Sequence, residues 1–116
     1  MIRHIVLFSA RSASEIETIV QGLSILTGIP HARRLEIARN RKSDPLSKEA
    51  DVVVYGEFDN EAELAAYKAH PLYAESIRRV RPLREMRFAA DFDTDTAVAR
   101  KTLPASDAGG RIRDLG

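Results

Sequence analysis

Two segments of this chain, 2–8 and 51–58, carry apolar side chains on both of the faces that a β-strand presents. The first segment has the two apolar rows Ile5 with Leu7 and Ile2 with Val6 and Phe8. The second has the rows Val53 with Tyr55 and Val52 with Val54 and Phe58. Successive side chains of a strand point to opposite faces, so helices on one face of the sheet would cover only half of these side chains.

The first helix is predicted between these two strands. Ser12 and Glu15 have the spacing of a capping box, and apolar residues follow at helical spacing until Gly28 and Pro30 end the pattern. A second strand is predicted over residues 33–40, and the polar segment that follows it is expected to be a loop.

The second half of the chain repeats the order of strand, helix and strand. After the strand at 51–58, Asp59 or Asn60 is expected to cap a helix. The pair His70–Pro71 interrupts that helix, and a further helical piece is expected to run from Pro71 to about residue 80. The last strand is predicted over residues 83–92, which completes the order β-α-β-β-α-β.

This order predicts a ferredoxin-like α+β domain, in which both helices cover one face of an antiparallel four-stranded sheet. The other face would be an apolar patch larger than soluble monomers usually expose. The same face of a second copy would cover it through a two-fold interface, so we expect a homodimer whose two sheets form a dimeric α/β barrel. The alternative is that valine-rich strands tolerate exposure.

Length and charge exclude several classes of protein. At 116 residues the chain is long enough for one domain, expected over 1–93, with a tail at 94–116 that is flexible or docks on the partner subunit. A net charge of +1 and basic clusters without interleaved aromatic residues argue against a nucleic-acid partner. We expect no membrane partner and a cytoplasmic location, since the apolar start is too short to span a bilayer.

Several short motifs together resemble the stress-responsive A/B barrel domain (Dabb) family. They are the start 1–8, the helix stop Gly28-Ile29-Pro30, the run 67–71, and 80–83 followed by a strand that ends in Asp91-Phe92. The resemblance covers roughly residues 1–93. It implies a dimeric α/β barrel, which agrees with the dimer expected from the strands, but it implies no uniform chemistry.

The resemblance also implies candidate catalytic residues. In a plant polyketide cyclase that is similar to the family, a histidine and a tyrosine act inside the barrel, and His4 and Tyr67 match those positions. His70 matches the histidine of the family's His-Pro signature. Two positions depart from the cyclase, because Tyr73 and Val52 stand where the cyclase has histidines.

The residue types by themselves indicate a candidate pocket, although each polar residue also has a structural alternative. His4 is a candidate general acid or base, or a histidine that hydrogen-bonds to backbone. Tyr67 and Tyr73 either enter the cavity or pack, and His70 either enters it or caps a turn. The expected apolar walls are Val6, Val52, Val54 and Phe88.

The histidines lack metal-ligand spacing, and the acidic run 91–95 lacks the glycine and glutamate of a calcium loop. We therefore expect neither a metal nor a cofactor.

Two functions follow as alternatives. The first is a barrel that binds a small apolar or aromatic ligand. If such a barrel also catalyses a reaction, it is a cofactor-independent cyclase or related enzyme that acts on a polyketide-like substrate with His4 and Tyr67. The second is a stress-related dimer without a ligand, whose cavity its own side chains fill. An open cavity that reaches His4 and Tyr67 would distinguish the two.

Overall fold

The computed structural model describes residues 1–100, which form one four-stranded sheet with helices on one face. The strands are β1 (Ile2–Ala10), β2 (Arg34–Arg39), β3 (Val52–Phe58) and β4 (Arg84–Asp93). Their order in the sheet is β2-β3-β1-β4, and every neighbouring pair is antiparallel. The predicted ferredoxin-like α+β fold is confirmed.

Three helices connect the strands: α1 (Ile16–Ser24), α2 (Glu61–Ala69) and α3 (Pro71–Val80). The capping box predicted at Ser12 does not form, because the chain enters α1 through a 3₁₀ turn. The backbone N–H of Glu15 donates to the backbone oxygen of Ser12 at 2.9 Å, while the Ser12 hydroxyl is paired with that of Ser14. None of these helices, nor any other in residues 1–100, is long and apolar enough to span a membrane.

The predicted break between the second and third helices is present. Asn60 caps α2, since its side-chain oxygen accepts the N–H of Glu63 at 2.9 Å. His70 has extended backbone angles between α2 and α3, and its Nδ1 accepts the N–H of Leu72 at 3.1 Å. Pro71 stands in the first turn of α3, where a missing N–H costs nothing. His70 is therefore the N-cap of α3.

The strand register decides which apolar row faces the helices. Val6 pairs with Val54, and both are buried beneath the helices in the hydrophobic core. One residue further on, Leu7 pairs with Val53 on one side and with Phe88 on the other, and this row points away from the helices. We call this second surface the open face; its apolar members are Ile5, Leu7, Val53, Tyr55, Phe88, Ala90 and Phe92.

The open face remains accessible in the single chain. Phe88 is 65% exposed, and Phe92 is also exposed, whereas the paired residues of β1 and β3 are half-buried. No element among residues 1–100 packs across this face. The predicted tail begins directly after β4, and its residues 101–116 lie outside the described residues.

Candidate functional site

A cavity of about 330 Å³ lies between the helix-covered face of the sheet and α3. Seven of its fourteen lining residues are apolar, and they come from β1, β3, α3 and the end of α1. Its polar lining consists of His4, Tyr67, Tyr73, Ser76, Arg81, Arg84 and Arg87. A pocket that combines apolar walls with convergent polar groups is typical of a site for a small molecule.

His4 lies on β1 directly opposite Asp91 on β4. The Nδ1 atom of His4 is hydrogen-bonded to Oδ1 of Asp91, and the histidine side chain is 2% exposed while the carboxylate is 39% exposed. A carboxylate accepts but does not donate, so Nδ1 carries a proton, and in the neutral ring Nε2 keeps its lone pair. Nε2 has no hydrogen-bond partner among residues 1–100. The ring therefore has the form of an oriented base.

Aromatic rings hold His4 in place. The rings of Phe58 and Tyr67 both meet it edge-on, with centroids 6.2 Å from the imidazole centroid. On β3 the residue that pairs with His4 is Gly56. A Cβ atom at Gly56 would lie 2.8 Å from the Phe58 ring, closer than carbon atoms pack. The absence of a side chain at Gly56 therefore leaves room for Phe58 beside the histidine.

Tyr67 reaches the same cavity from α2 and is buried. Its ring also packs against Tyr73 on α3, with a centroid distance of 5.2 Å. Burial raises the pKa of the Tyr67 phenol above its usual value, so the hydroxyl stays protonated and acts as a donor at neutral pH. That hydroxyl has no hydrogen-bond partner in the described part of the chain.

Not every residue expected in the pocket lies there. His4, Val6, Val54, Tyr67 and Tyr73 line the cavity together. The other three do not: Val52 is fully buried in the core, His70 caps α3, and Phe88 is on the open face. Phe88 pairs with Leu7, one residue away from the cavity residue Val6, and a shift of one residue moves a side chain to the opposite face.

Sequence reasoning missed four charged residues of this site. Asp91 belongs to the acidic run that does not fit a calcium loop and to the Asp91-Phe92 motif, Arg81 and Arg84 belong to the basic clusters, and no pattern singled out Arg87. The signal for Asp91 and Arg87 was their position on the same face of β4, the face that holds no large apolar residue. Among residues 1–100 no group of histidine and carboxylate side chains could hold a metal ion.

Structures of similar fold come from several bacteria. A dimeric ferredoxin-like protein of unknown function from Thermobifida fusca is 25% identical, with a TM-score of 0.67 over 78% of this chain and 88% of its own. A Dabb family protein from Mesorhizobium loti is 26% identical, with a TM-score of 0.66 over 79% of this chain and 94% of its own. SnoaB, a cofactor-independent oxygenase from Streptomyces nogalater, is 19% identical and has a TM-score of 0.60 over 89% and 96% of the two chains.

The amino-acid sequence itself supports the same relationship. No curated protein matches it. The sequence model of the stress responsive A/B barrel domain, however, matches residues 2–94, which include all four strands and the three helices. The family predicted from the short motifs is thereby confirmed, and the chain belongs to the stress responsive A/B barrel domain (Dabb) family.

Proposed function

We propose that this protein binds a small, mostly apolar carbonyl compound in the cavity and removes a proton from the carbon next to the carbonyl. One observation carries the proposal. His4 is oriented by Asp91, and its Nε2 has no partner in a cavity that it shares with the Tyr67 hydroxyl. A base and a hydrogen-bond donor in one pocket are the two groups that such a proton transfer needs.

Each residue has a distinct role in the proposed step. Nε2 of His4 takes the proton, the C–H bond breaks, and its electron pair forms an enolate whose charge rests on the carbonyl oxygen. The Tyr67 hydroxyl donates a hydrogen bond to that oxygen. Asp91 keeps the proton on Nδ1 before the step and stabilises the imidazolium after it. In a polyketide-like substrate, the enolate carbon then attacks a second carbonyl carbon, and the new C–C bond closes a ring. The C=O π pair moves to the oxygen of that second carbonyl, which takes the proton back from the His4 imidazolium.

The competing function is a dimer without a ligand. That function would leave no open volume beside His4, because the protein's own side chains would fill the space between the sheet and α3. The cavity of about 330 Å³ beside His4 and Tyr67 favours a ligand instead. The fold also hosts chemistry without a cofactor in SnoaB, which is a likeness of fold alone.

The experiment follows the interconversion of the keto and enol forms of 1-phenylbutane-1,3-dione by ultraviolet absorbance after dilution into buffer. The wild-type protein is expected to accelerate it, and His4→Gln or Asp91→Asn is expected to reduce the acceleration by about 10²-fold. Tyr67→Phe should lower it less. The matched control is His31→Gln, because His31 is a partly exposed histidine outside the cavity.

Equal rates for the wild type and His4→Gln would overturn the proposal, since the histidine would then contribute nothing to proton transfer. A wild-type rate equal to that of buffer, with no binding of the probe by calorimetry, would support the dimer without a ligand. Circular dichroism of each variant establishes that the fold is intact.

The assembly proposed for this function is a homodimer that packs through the open face. The apolar side chains of that face have no cover among residues 1–100, and the Thermobifida fusca protein of the same fold is dimeric. The cavity lies on the other side of the sheet, so two copies joined in this way leave both cavities accessible.

A further inference from the structure

Three arginines surround one part of the cavity. Arg81 follows the last residue of α3, and Arg84 and Arg87 lie on β4. All three line the same cavity as His4 and Tyr67. Arg87 pairs with Phe8, a buried residue of the helix-covered face, so it belongs to the cavity side of the sheet. We call these residues the arginine trio.

The trio has no carboxylate partner among residues 1–100. Among the other arginines in residues 1–100, five lie within ion-pair distance of an aspartate or glutamate (Arg33, Arg34, Arg39, Arg78 and Arg79), and four do not (Arg3, Arg11, Arg41 and Arg100). The trio differs from those four because it lines the cavity. Arg87 instead donates to the neutral Tyr73 hydroxyl at 3.4 Å, which orients its side chain without neutralising it. Asp91 is hydrogen-bonded to His4 rather than to any arginine of the trio.

Ordinary structural roles do not account for all three arginines. Arg81 is at the C-terminal end of α3, where the helix dipole stabilises a positive charge. Arg84 and Arg87 are on a strand and have no such role. A partner subunit on the open face would not meet Arg87, which is on the opposite side of the sheet. Three guanidinium groups around an apolar cavity therefore present uncompensated positive charge to whatever enters it.

Backbone spacing and side-chain contacts place Arg87 relative to the proposed site. Arg87 and Asp91 are four residues apart on β4, so their backbones are about 13 Å apart along the strand. The Arg87 side chain reaches back towards the site, because its guanidinium contacts the Tyr73 hydroxyl and the Tyr73 ring packs against Tyr67 with a centroid distance of 5.2 Å. Apolar side chains of β1, α1 and α3 line the same cavity.

We infer that the ligand is an apolar molecule that carries an anionic group, a carboxylate or a phosphate, which the arginine trio binds while the carbonyl group reaches His4. Guanidinium groups match both anions because they donate two parallel N–H bonds to paired oxygens. The inference rests on the proposed function, since it names the class of molecule that enters the same cavity.

The experiment compares three probes of matched shape by isothermal titration calorimetry of the full chain: 5-phenylpentanoate, 5-phenylpentan-1-ol and 5-phenylpentyl phosphate. Both anions are expected to bind about tenfold more tightly than the alcohol, and 0.5 M NaCl should remove most of that preference. If one anion binds more tightly than the other, its anionic group is the one that the site prefers.

The arginines are then replaced. Arg84→Gln with Arg87→Gln should reduce the affinity for the anions to that of the alcohol and leave the affinity for the alcohol unchanged. Arg78→Gln is the matched control. Arg78 is an arginine of α3 that is paired with Glu75 and does not line the cavity. Both substituted arginines lie at the edge of the sheet, and a circular dichroism spectrum equal to the wild type's shows that the double variant folds.

The outcomes separate this inference from the proposed function. If the alcohol binds as tightly as the anions, the cavity is a ligand site but the trio does not select for charge, and the inference is wrong. If the double variant keeps the anion preference, the trio is not its source and the inference is also wrong. If no probe binds, both the inference and the proposed function fail.

Discussion

His4 illustrates how much a single residue depends on its neighbours. An imidazole in an apolar strand could serve only packing, but the Asp91 carboxylate on Nδ1 leaves Nε2 as the free acceptor. The rings of Phe58 and Tyr67 hold the imidazole plane, so the lone pair has a defined direction. The chemistry proposed for the cavity therefore belongs to a group of four residues rather than to the histidine alone.

Gly56 offers a prediction about this group. Gly56→Ala should lower the free energy of unfolding by about 1–3 kcal/mol, because Gly56 is buried and the new Cβ would lie 2.8 Å from the Phe58 ring. Urea denaturation measures the change. Gly28→Ala is the matched control, since its Cβ would meet only the end of the Leu72 side chain, at 3.0 Å. Equal stability of Gly56→Ala and the wild type would show that the Phe58 ring is free to move.

The elements of the sheet are joined at one end by Asp51, which precedes β3. Its Oδ2 accepts the N–H of Ala10 at 2.8 Å, its own N–H donates to the backbone oxygen of Phe8 at 2.8 Å, and Lys42 donates to its Oδ1. Burial by itself raises the pKa of this carboxyl, but the hydrogen bonds from Lys42 and Ala10 outweigh burial and hold the pKa below its usual value. Asp51 thus ties the end of β1 to the start of β3.

Asp51→Asn should lower the stability at pH 7 by about 1 kcal/mol, because the ion pair with Lys42 is lost. The pKa of Asp51 is lower in the folded than in the unfolded protein, so this stabilisation is complete above about pH 4 and disappears as the pH falls further. Urea denaturation at pH 7 and pH 3 measures the free energy of unfolding of both proteins. The difference between the wild type and Asp51→Asn should be smaller at pH 3. Glu49→Gln, at a neighbouring exposed carboxylate, is the control; a pH-independent difference for Asp51→Asn would contradict the prediction.

At the scale of the whole molecule, the open face explains why a second copy is proposed. The sequence indicates that two strands are apolar on both faces, and the structure covers only one face with helices. The substitution that tests the dimer must therefore lie on the open face. A charge at Val54, which the sequence alone also suggests, would instead unfold the chain, because Val54 is 1% exposed and belongs to the core beneath the helices.

Phe88→Asp should give a monomer, because the dimer would bury the new carboxylate among apolar side chains without a partner. Light scattering is expected to yield twice the chain mass of 12.9 kDa for the wild type and the single mass for the variant. Leu46→Asp is the matched control, since Leu46 is 90% exposed in the loop before β3, away from the sheet. A monomeric wild type at micromolar concentration would refute the proposed assembly.

Local patterns in the chain were enough for the order of the elements. Residues close in sequence decide where a strand alternates, where a cap at Asp59 or Asn60 begins a helix and where Pro71 begins the next one. Those features were predicted correctly, and the structure selects Asn60 as the cap. His4 and Tyr67 were identified as cavity residues by resemblance, and the structure places both on the same cavity. The capping box at Ser12 was wrong because a 3₁₀ turn satisfies the same backbone with different bonds.

The pairing of distant residues required the folded chain. Asp91 lies 87 positions after His4, and only the register of β1 against β4 brings the two side chains together. The same register directs Arg87 towards the cavity and Phe88 towards the open face, a distinction that alternation alone does not make when both faces of the central strands are apolar. Periodicity specifies which residues share a face, whereas the packing of helices on the sheet specifies which face becomes the site.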